Sequence, residues 1–77
     1  MEIEDFVQNF AEQFEETDSS EFTSKTKFRE IEEWNSLTAL SIIAMVDEEY
    51  EVKLKGDDIR KSIAIEDLFN IVASRKQ

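Results

Sequence analysis

Ser36 is the side chain of this sequence best placed to do chemistry. It lies in the stretch EWNSLT, residues 33–38, where a polar segment meets an amphipathic one. A serine there can be an ordinary helix-start residue or a site of covalent modification, and local sequence alone favours the first. The chain contains no Cys and no His. Thiolate chemistry and the usual neutral-pH general base are therefore excluded, and we expect the protein not to be an enzyme.

Charged residues are abundant, but their spacing predicts no metal or acid–base site. Residues 47–58 have the length of a calcium loop, yet Val52 stands at the sixth position, where such a loop needs glycine. The acidic pair at positions 32 and 33 is predicted to lie on a solvated surface. Four cations around the predicted third helix alternate with acids, which predicts a mixed surface without a functional role. These cations are Lys53, Lys55, Arg60 and Lys61.

The net charge of the chain is −10, from 19 acidic and 9 basic residues. Such a charge repels nucleic-acid phosphates and anionic lipids and attracts basic protein surfaces. The longest apolar run, residues 42–46, is far shorter than the roughly 20 residues that span a bilayer. The start MEIEDF is acidic where a signal peptide would be basic. We expect a cytoplasmic monomer without a nucleic-acid partner or membrane insertion.

Hydrophobic periodicity predicts an all-α fold, a small four-helix bundle with a long loop between helices one and two and a short third helix. One domain is predicted to span residues 1–77. Helix one is predicted over residues 2–16, where apolar side chains recur on one face. The loop over residues 17–35 is rich in Ser, Thr and Asp, and its expected apolar anchors are Phe22, Phe28 and Ile31.

The second helix is predicted to begin at an Asn35 cap and to run to residue 50. Its predicted core face consists of Ala39, Ile42, Ile43, Val46 and Tyr50. Residues 51–56 are predicted to form a connector, because a single short strand would have no partner. The short third helix is predicted to end near residue 62. The last helix is predicted over residues 65–74, with the apolar stripe Ile65, Leu68, Phe69 and Val72.

From residue 34 onward the chain resembles the acyl carrier proteins, small acidic four-helix proteins that carry an acyl group on a serine-linked phosphopantetheine arm. The family signature is Asp-Ser-Leu at the start of the second helix, after a long loop, and NSL occupies that place here. The segments LTALSIIAMVDEEYEVKL and IEDLFNIV also look like the family's second and fourth helices. The length and the element order match throughout, while residues 34–72 carry the recognisable sequence.

The resemblance implies that Ser36 bears 4'-phosphopantetheine, transferred from coenzyme A by a separate phosphopantetheinyl transferase. An acyl ligase or acyltransferase with a basic surface would then acylate the thiol, and the carrier would present the thioester to partner enzymes. A chain without Cys that must carry a reactive thiol needs one from a prosthetic group, which agrees with the composition.

The resemblance also implies a recognition surface around Ser36, formed by Trp34, Asn35, Leu37, Met45, Asp47 and Glu48. Asn35 replaces the Asp of the signature, and Thr38 and Ser41 replace acids that are typical of fatty-acid-synthesis carriers. These differences favour a dedicated pathway partner over the enzymes of fatty acid synthesis. Trp34 before the signature looks like stand-alone carriers of specialised lipid, polysaccharide or secondary-metabolite pathways. Leu37 and Met45 lie off the predicted core face, either as exposed apolar contacts for partner enzymes or as ordinary partly buried side chains.

Three alternatives stay open at this point. Trp34 can pack over the first helical turn against Ala39 or anchor a partner. Ile59 and Ile63 are expected in the core rather than in an acyl pocket. The whole chain can also be an acidic helical adaptor or inhibitor that binds a basic protein without modification, or an aminoacyl or peptidyl carrier.

Overall fold

The computed structural model describes residues 1–76, which form four α-helices and no β-strand. The helices are α1 (Ile3–Ala11), α2 (Ser36–Tyr50), α3 (Gly56–Lys61) and α4 (Ile65–Arg75). Two single-turn 3-10 helices, Ser19–Glu21 and Phe28–Glu30, lie between α1 and α2. The predicted all-α fold, with its long first loop and short third helix, is confirmed. Residue 77, the last of the predicted domain, lies outside the described residues.

The core is one cluster of apolar side chains from all four helices and the segments between them. Its fully buried apolar members are Phe6, Phe10, Phe28, Ile42, Val46, Ile65, Leu68 and Val72. The Phe10 ring has five aromatic neighbours, with ring centroids between 5.5 and 6.5 Å away. Three of these neighbours, Phe22, Phe28 and Trp34, come from the long loop, which is therefore part of the core.

Helix α1 ends at Ala11, five residues before the predicted end. The N–H groups of Gln13 and Phe14 bond three residues back, to Phe10 and Ala11, which tightens the chain into turns. Phe14 nevertheless stays buried. The apolar periodicity that predicted helix through residue 16 therefore reports burial of Phe14, not continuation of the helix.

The long loop is fixed by its own apolar anchors and by α4. Phe22 and Phe28 are buried, as predicted, and Ile31 packs half-buried against the core. At the start of α4, the Ile65 N–H donates to the Thr26 carbonyl at 3.1 Å and the Glu66 N–H donates to the Ser24 carbonyl at 2.9 Å. The loop is thus tied to the start of α4.

Helix α2 begins at the predicted cap but is rotated from the predicted orientation. Ile42, Val46 and Tyr50 are buried as expected, whereas Ala39 and Ile43 are only partly buried. Thr38 and Met45 take their places in the core. Ala39 and Ile43 instead line an open cleft against α3.

Residues 51–55 form an irregular connector, as predicted, with Val52 and Leu54 buried. Helix α4 begins where predicted and ends one residue later, and Asp67 caps it by accepting hydrogen bonds from the N–H groups of Ile63 and Ala64 at 3.0 and 2.9 Å. These bonds lower the pKa of Asp67. The start of α4 is therefore held by a carboxylate, as the helix dipole favours.

Candidate functional site

Ser36 is the first residue of α2 and its side chain is exposed. The preceding residue, Asn35, has an extended backbone and caps the helix, since its Oδ1 accepts a hydrogen bond from the Thr38 N–H at 3.0 Å. The first turn of α2 contains no acidic residue. The predicted position of Ser36 at a capped helix start is confirmed, and its hydroxyl is accessible.

Glu33 fixes the segment that leads into Ser36. Its carboxylate accepts hydrogen bonds from the N–H groups of residues 15, 16 and 17 at 2.9, 3.1 and 2.9 Å, and from the Thr17 hydroxyl at 2.8 Å. The hydroxyl contact is the largest cause that lowers the pKa of Glu33, and the backbone N–H groups lower it further. The Glu33 carbonyl also accepts from the buried Thr38 hydroxyl at 3.1 Å. Glu33 thus joins the end of α1 to the start of α2.

The expectation that both acids at positions 32 and 33 lie on a solvated surface is wrong for Glu33. Its partners lie 16 to 18 residues earlier in the chain. No local pattern points to that contact, because any exposed-looking glutamate of the loop could have made it. Glu32 remains exposed, as predicted.

An open cleft of about 550 Å³ lies between α2 and α3, and Ser36 is one of its lining residues. Its apolar wall consists of Trp34, Ala39, Leu40, Ile43 and Ile59. Ile59 is buried and belongs to the core as well as to this wall, whereas Ile63 is 58% exposed, so its predicted core position is wrong. Ile63 lies in the short extended segment before α4, next to its N-cap residue Ala64.

Helix α3 supplies a more basic surface than the alternating sequence predicts. Asp58 is buried and pairs with Arg75 through two hydrogen bonds of 2.7 Å, while its Oδ2 also accepts from the Lys55 N–H at 2.9 Å. The Arg75 contact, chiefly, lowers the pKa of Asp58 to about 2. Because the Asp58 carboxylate is buried, it does not offset the positive charges of Lys55 and Lys61, whose side chains are exposed to solvent.

The predicted recognition residues divide between surface and core. Leu37 is 75% exposed beside Ser36, as expected. Leu40, one turn further along α2, is 60% exposed and was not predicted as a surface contact. Glu48 is exposed, and Asp47, partly buried, forms an ion pair with Lys53 at 3.1 Å.

Met45 is buried in the core, which contradicts its predicted position off the core face. Residues 38, 42 and 45 follow the i, i+4, i+7 spacing and share one side of α2. Since Thr38 and Ile42 face the core, Met45 must do so too. The rotation of α2 therefore removes Met45 from the recognition surface.

Trp34 packs mainly against aromatic rings. Its ring centroid lies 5.1 Å from that of Phe28 and 6.5 Å from that of Phe10, with the Trp34 and Phe10 rings nearly parallel. Trp34 is only partly buried, and it lines the cleft together with Ala39. A single residue thus connects the core to the cleft beside Ser36.

The chain was compared with known protein families and with curated proteins. No protein-family model matches the chain, and a search of curated proteins found no significant match. Within residues 1–76, no helix is both long and apolar enough to cross a bilayer. In the same range, no group of three or more potential metal ligands comes together.

Proposed function

We propose that this protein is an acyl carrier protein that bears 4'-phosphopantetheine on Ser36 and presents a thioester-linked acyl group to partner enzymes. One observation carries the proposal: an exposed serine begins α2 directly after a long, anchored loop and lines an apolar cleft. The resemblance of NSL and the following helix to the carrier family supports the same function.

The residues around Ser36 suit a phosphate ester. The start of an α-helix presents free N–H groups and the positive end of the helix dipole, both of which favour an anion. No acidic residue opposes it in the first turn of α2. Two cations, Arg29 and Arg60, line the same cleft as Ser36. When bound, the group supplies the thiol that this Cys-free chain lacks.

Ser36 is a substrate in this proposal and not a catalytic residue. Its Oγ forms a bond to the β-phosphorus of coenzyme A within the transferase, the hydroxyl proton leaves to a base of that enzyme, and the adenosine bisphosphate part of coenzyme A departs. The well-anchored loop and the Asn35 cap hold the hydroxyl at a defined place for that encounter.

The proposed partners are a phosphopantetheinyl transferase and an acyl ligase or acyltransferase with a basic surface. The net charge of −10 favours association with a basic protein and disfavours nucleic acid. Leu37, exposed beside Ser36, would supply an apolar contact, and Glu48 an acidic one. A monomer in the cytoplasm, serving a specialised biosynthetic pathway, belongs to the same proposal.

Intact mass spectrometry tests the proposal. The protein is incubated with coenzyme A, Mg²⁺ and a broad-specificity phosphopantetheinyl transferase. We expect the mass of the wild type to rise by one phosphopantetheine group, and the mass of Ser36→Ala to stay unchanged. Ser41→Ala, a change of the same kind further along α2, is the matched control and should be modified like the wild type.

The absence of any mass increase with several transferases, in a folded protein that is not already modified, would contradict the proposal. It would favour the acidic adaptor or inhibitor, in which Ser36 only begins a helix. Modification of Ser36→Ala would also contradict it, since the arm would then be attached elsewhere. An aminoacyl or peptidyl carrier would gain the same mass and differ in the ligase that loads it.

A further inference from the structure

The cleft beside Ser36 is lined by two arginines, one of which, Arg60, pairs with Asp57 outside the lining. Arg29 and Arg60 are the charged side chains among the described lining residues, and no carboxylate of residues 1–76 lines it. The chain as a whole carries −10. An apolar cleft lined by two guanidinium groups, of which Arg29 has no salt bridge within residues 1–76, is complementary to a ligand with an anionic group and a nonpolar body.

Both arginines are held at the cleft by α3. Nη2 of Arg29 donates to the Ser62 carbonyl at 2.8 Å, where α3 ends, and Arg29 has no salt bridge within residues 1–76. A guanidinium group has five N–H donors, so Arg29 keeps several for a ligand. The Arg60 guanidinium lies over Gly56, where an added Cβ would be 3.3 Å from Nη1, and it also bonds the Asp57 carboxylate.

We propose that Arg29 and Arg60 are positioning residues that hold the phosphodiester on Ser36, so that the arm lies against the α2–α3 cleft instead of extending freely into solvent. This inference rests on the proposed function. A guanidinium group binds phosphate oxygens through paired, charge-assisted hydrogen bonds. Trp34 and the aliphatic wall of the cleft then cover the nonpolar part of the arm.

The test compares modified and unmodified proteins by two spectroscopic signals. The first is the ³¹P NMR resonance of the phosphodiester, which reports its immediate surroundings. The second is the fluorescence of Trp34, the single tryptophan of the chain, which lines the cleft. The variants are Arg29→Gln, Arg60→Gln and the double variant. Lys61→Gln is the control, since it removes the same charge from α3 outside the cleft lining.

In the wild type and in Lys61→Gln we expect the arm to change the Trp34 emission and the ³¹P resonance to be displaced from that of a free phosphodiester. In the double variant both effects should be lost, and in each single variant reduced. Arg29→Lys should restore part of the effect, because it keeps the charge without the paired donors. High salt should weaken the effect in the wild type.

Far-UV circular dichroism of the unmodified variants shows whether each one folds. Arg29→Gln also removes the hydrogen bond to the Ser62 carbonyl. Arg60→Gln leaves that hydrogen bond in place, so it tests the inference separately. A normal mass increase with identical ³¹P and Trp34 signals in the wild type and a folded double variant would overturn this inference alone. Failure of the wild type to gain mass would overturn both this inference and the proposed function.

Discussion

Two side chains just before Ser36 determine where its hydroxyl lies. Glu33 binds the backbone N–H groups that follow α1, and Asn35 caps α2. Both act through hydrogen bonds to backbone donors that would otherwise lack partners, which is the general requirement at helix ends and in turns. The position of Ser36 is therefore set by its neighbours in sequence and by a turn some twenty residues upstream.

Replacement of Glu33 by Gln should lower the melting temperature by several degrees at neutral pH, because a neutral amide accepts weaker hydrogen bonds from three N–H groups than a carboxylate does. The pKa of Glu33 in the folded protein is below its ordinary value of 4.5. Its contribution is thus present above pH 4.5 and lost as the pH falls through the lower, folded-state pKa. Thermal unfolding at pH 7 and in acid measures both effects.

Glu32→Gln is the matched control for Glu33→Gln, since Glu32 is exposed and makes no side-chain hydrogen bond within the described chain. Its melting temperature should equal that of the wild type. If the two variants melt together at neutral pH, Glu33 does not stabilise the fold in the way described.

Replacement of Asn35 by Ala should lower the free energy of unfolding by about 1 kcal/mol, because the Thr38 N–H loses its cap. Asn35→Asp keeps an acceptor and adds a charge that the helix dipole favours by about 0.3–1 kcal/mol. Urea denaturation measures both. Asn70→Ala, an exposed change within α4, serves as control and should stay within about 0.5 kcal/mol of the wild type.

Modification of Ser36 provides a second readout for the same position. If the proposed function holds, Asn35→Asp restores the acid of the family signature and should be modified faster than the wild type by a broad-specificity transferase. A time course of intact mass measures the rate. A slower reaction of the Asp variant would show that the amide is the better recognition group here.

At the scale of helices, the ion pair between Asp58 and Arg75 joins the shortest helix to the last. Helix α3 has only six residues and would not form by itself. The Asp58 carboxylate caps it through the Lys55 N–H and holds it to the end of α4. The α3 wall of the cleft therefore depends on a contact on the other side of that helix.

Asp58→Asn should lower the free energy of unfolding by about 2 kcal/mol, since the change weakens buried hydrogen bonds to a charged partner. The folded-state pKa of Asp58 is about 2, below the ordinary value of 3.8. The stabilisation is therefore present above pH 3.8 and lost as the pH falls through 2. Urea denaturation at several pH values checks this. Asp57→Asn, a change at the exposed neighbour, should have little effect.

The sequence predicts helix starts better than helix ends and orientations. Asn35 is a local signal for the start of α2, and the starts of α2 and α4 lie where they were predicted. The end of α1 was misplaced because Phe14 continues the apolar pattern after the helix has stopped. The predicted position of Met45 off the core face was wrong because the orientation of α2 depends on which neighbours it packs against.

A pocket at Ile59 was one of the alternatives weighed from the sequence, but the two arginines that line the cleft were beyond prediction. The 3-10 turn that carries Arg29 and the helix that carries Arg60 lie far apart in the chain, and only their packing brings them to one surface beside Ser36. Ser36 itself was found because its position between loop and helix can be read from residues 34–40. The position of Ser36 at a helix start was thus predictable from the sequence, whereas the residues that pack around it from distant parts of the chain were not.

For the whole molecule, Phe10 is a fully buried core residue whose ring contacts five other aromatic rings. A domain of 77 residues typically has a free energy of unfolding of about 4–12 kcal/mol. Phe10→Ala removes a fully buried ring and should cost about 3–5 kcal/mol. We expect this loss to appear in urea denaturation as a much lower midpoint, and circular dichroism to show whether the variant still folds without denaturant. Leu40→Ala, at a 60% exposed position, should stay folded. A Phe10→Ala protein as stable as Leu40→Ala would contradict this account.

The hydrogen bonds from Ile65 and Glu66 to the carbonyls of Thr26 and Ser24 connect the loop before Ser36 to a later part of the chain. They join positions roughly forty residues apart, and such distant contacts form late. On a ribosome these two hydrogen bonds can form only after residue 66 has emerged. If the proposed function holds, a transferase that recognises the finished surroundings of Ser36 is therefore expected to act after translation of residues 1–66, on the folded chain.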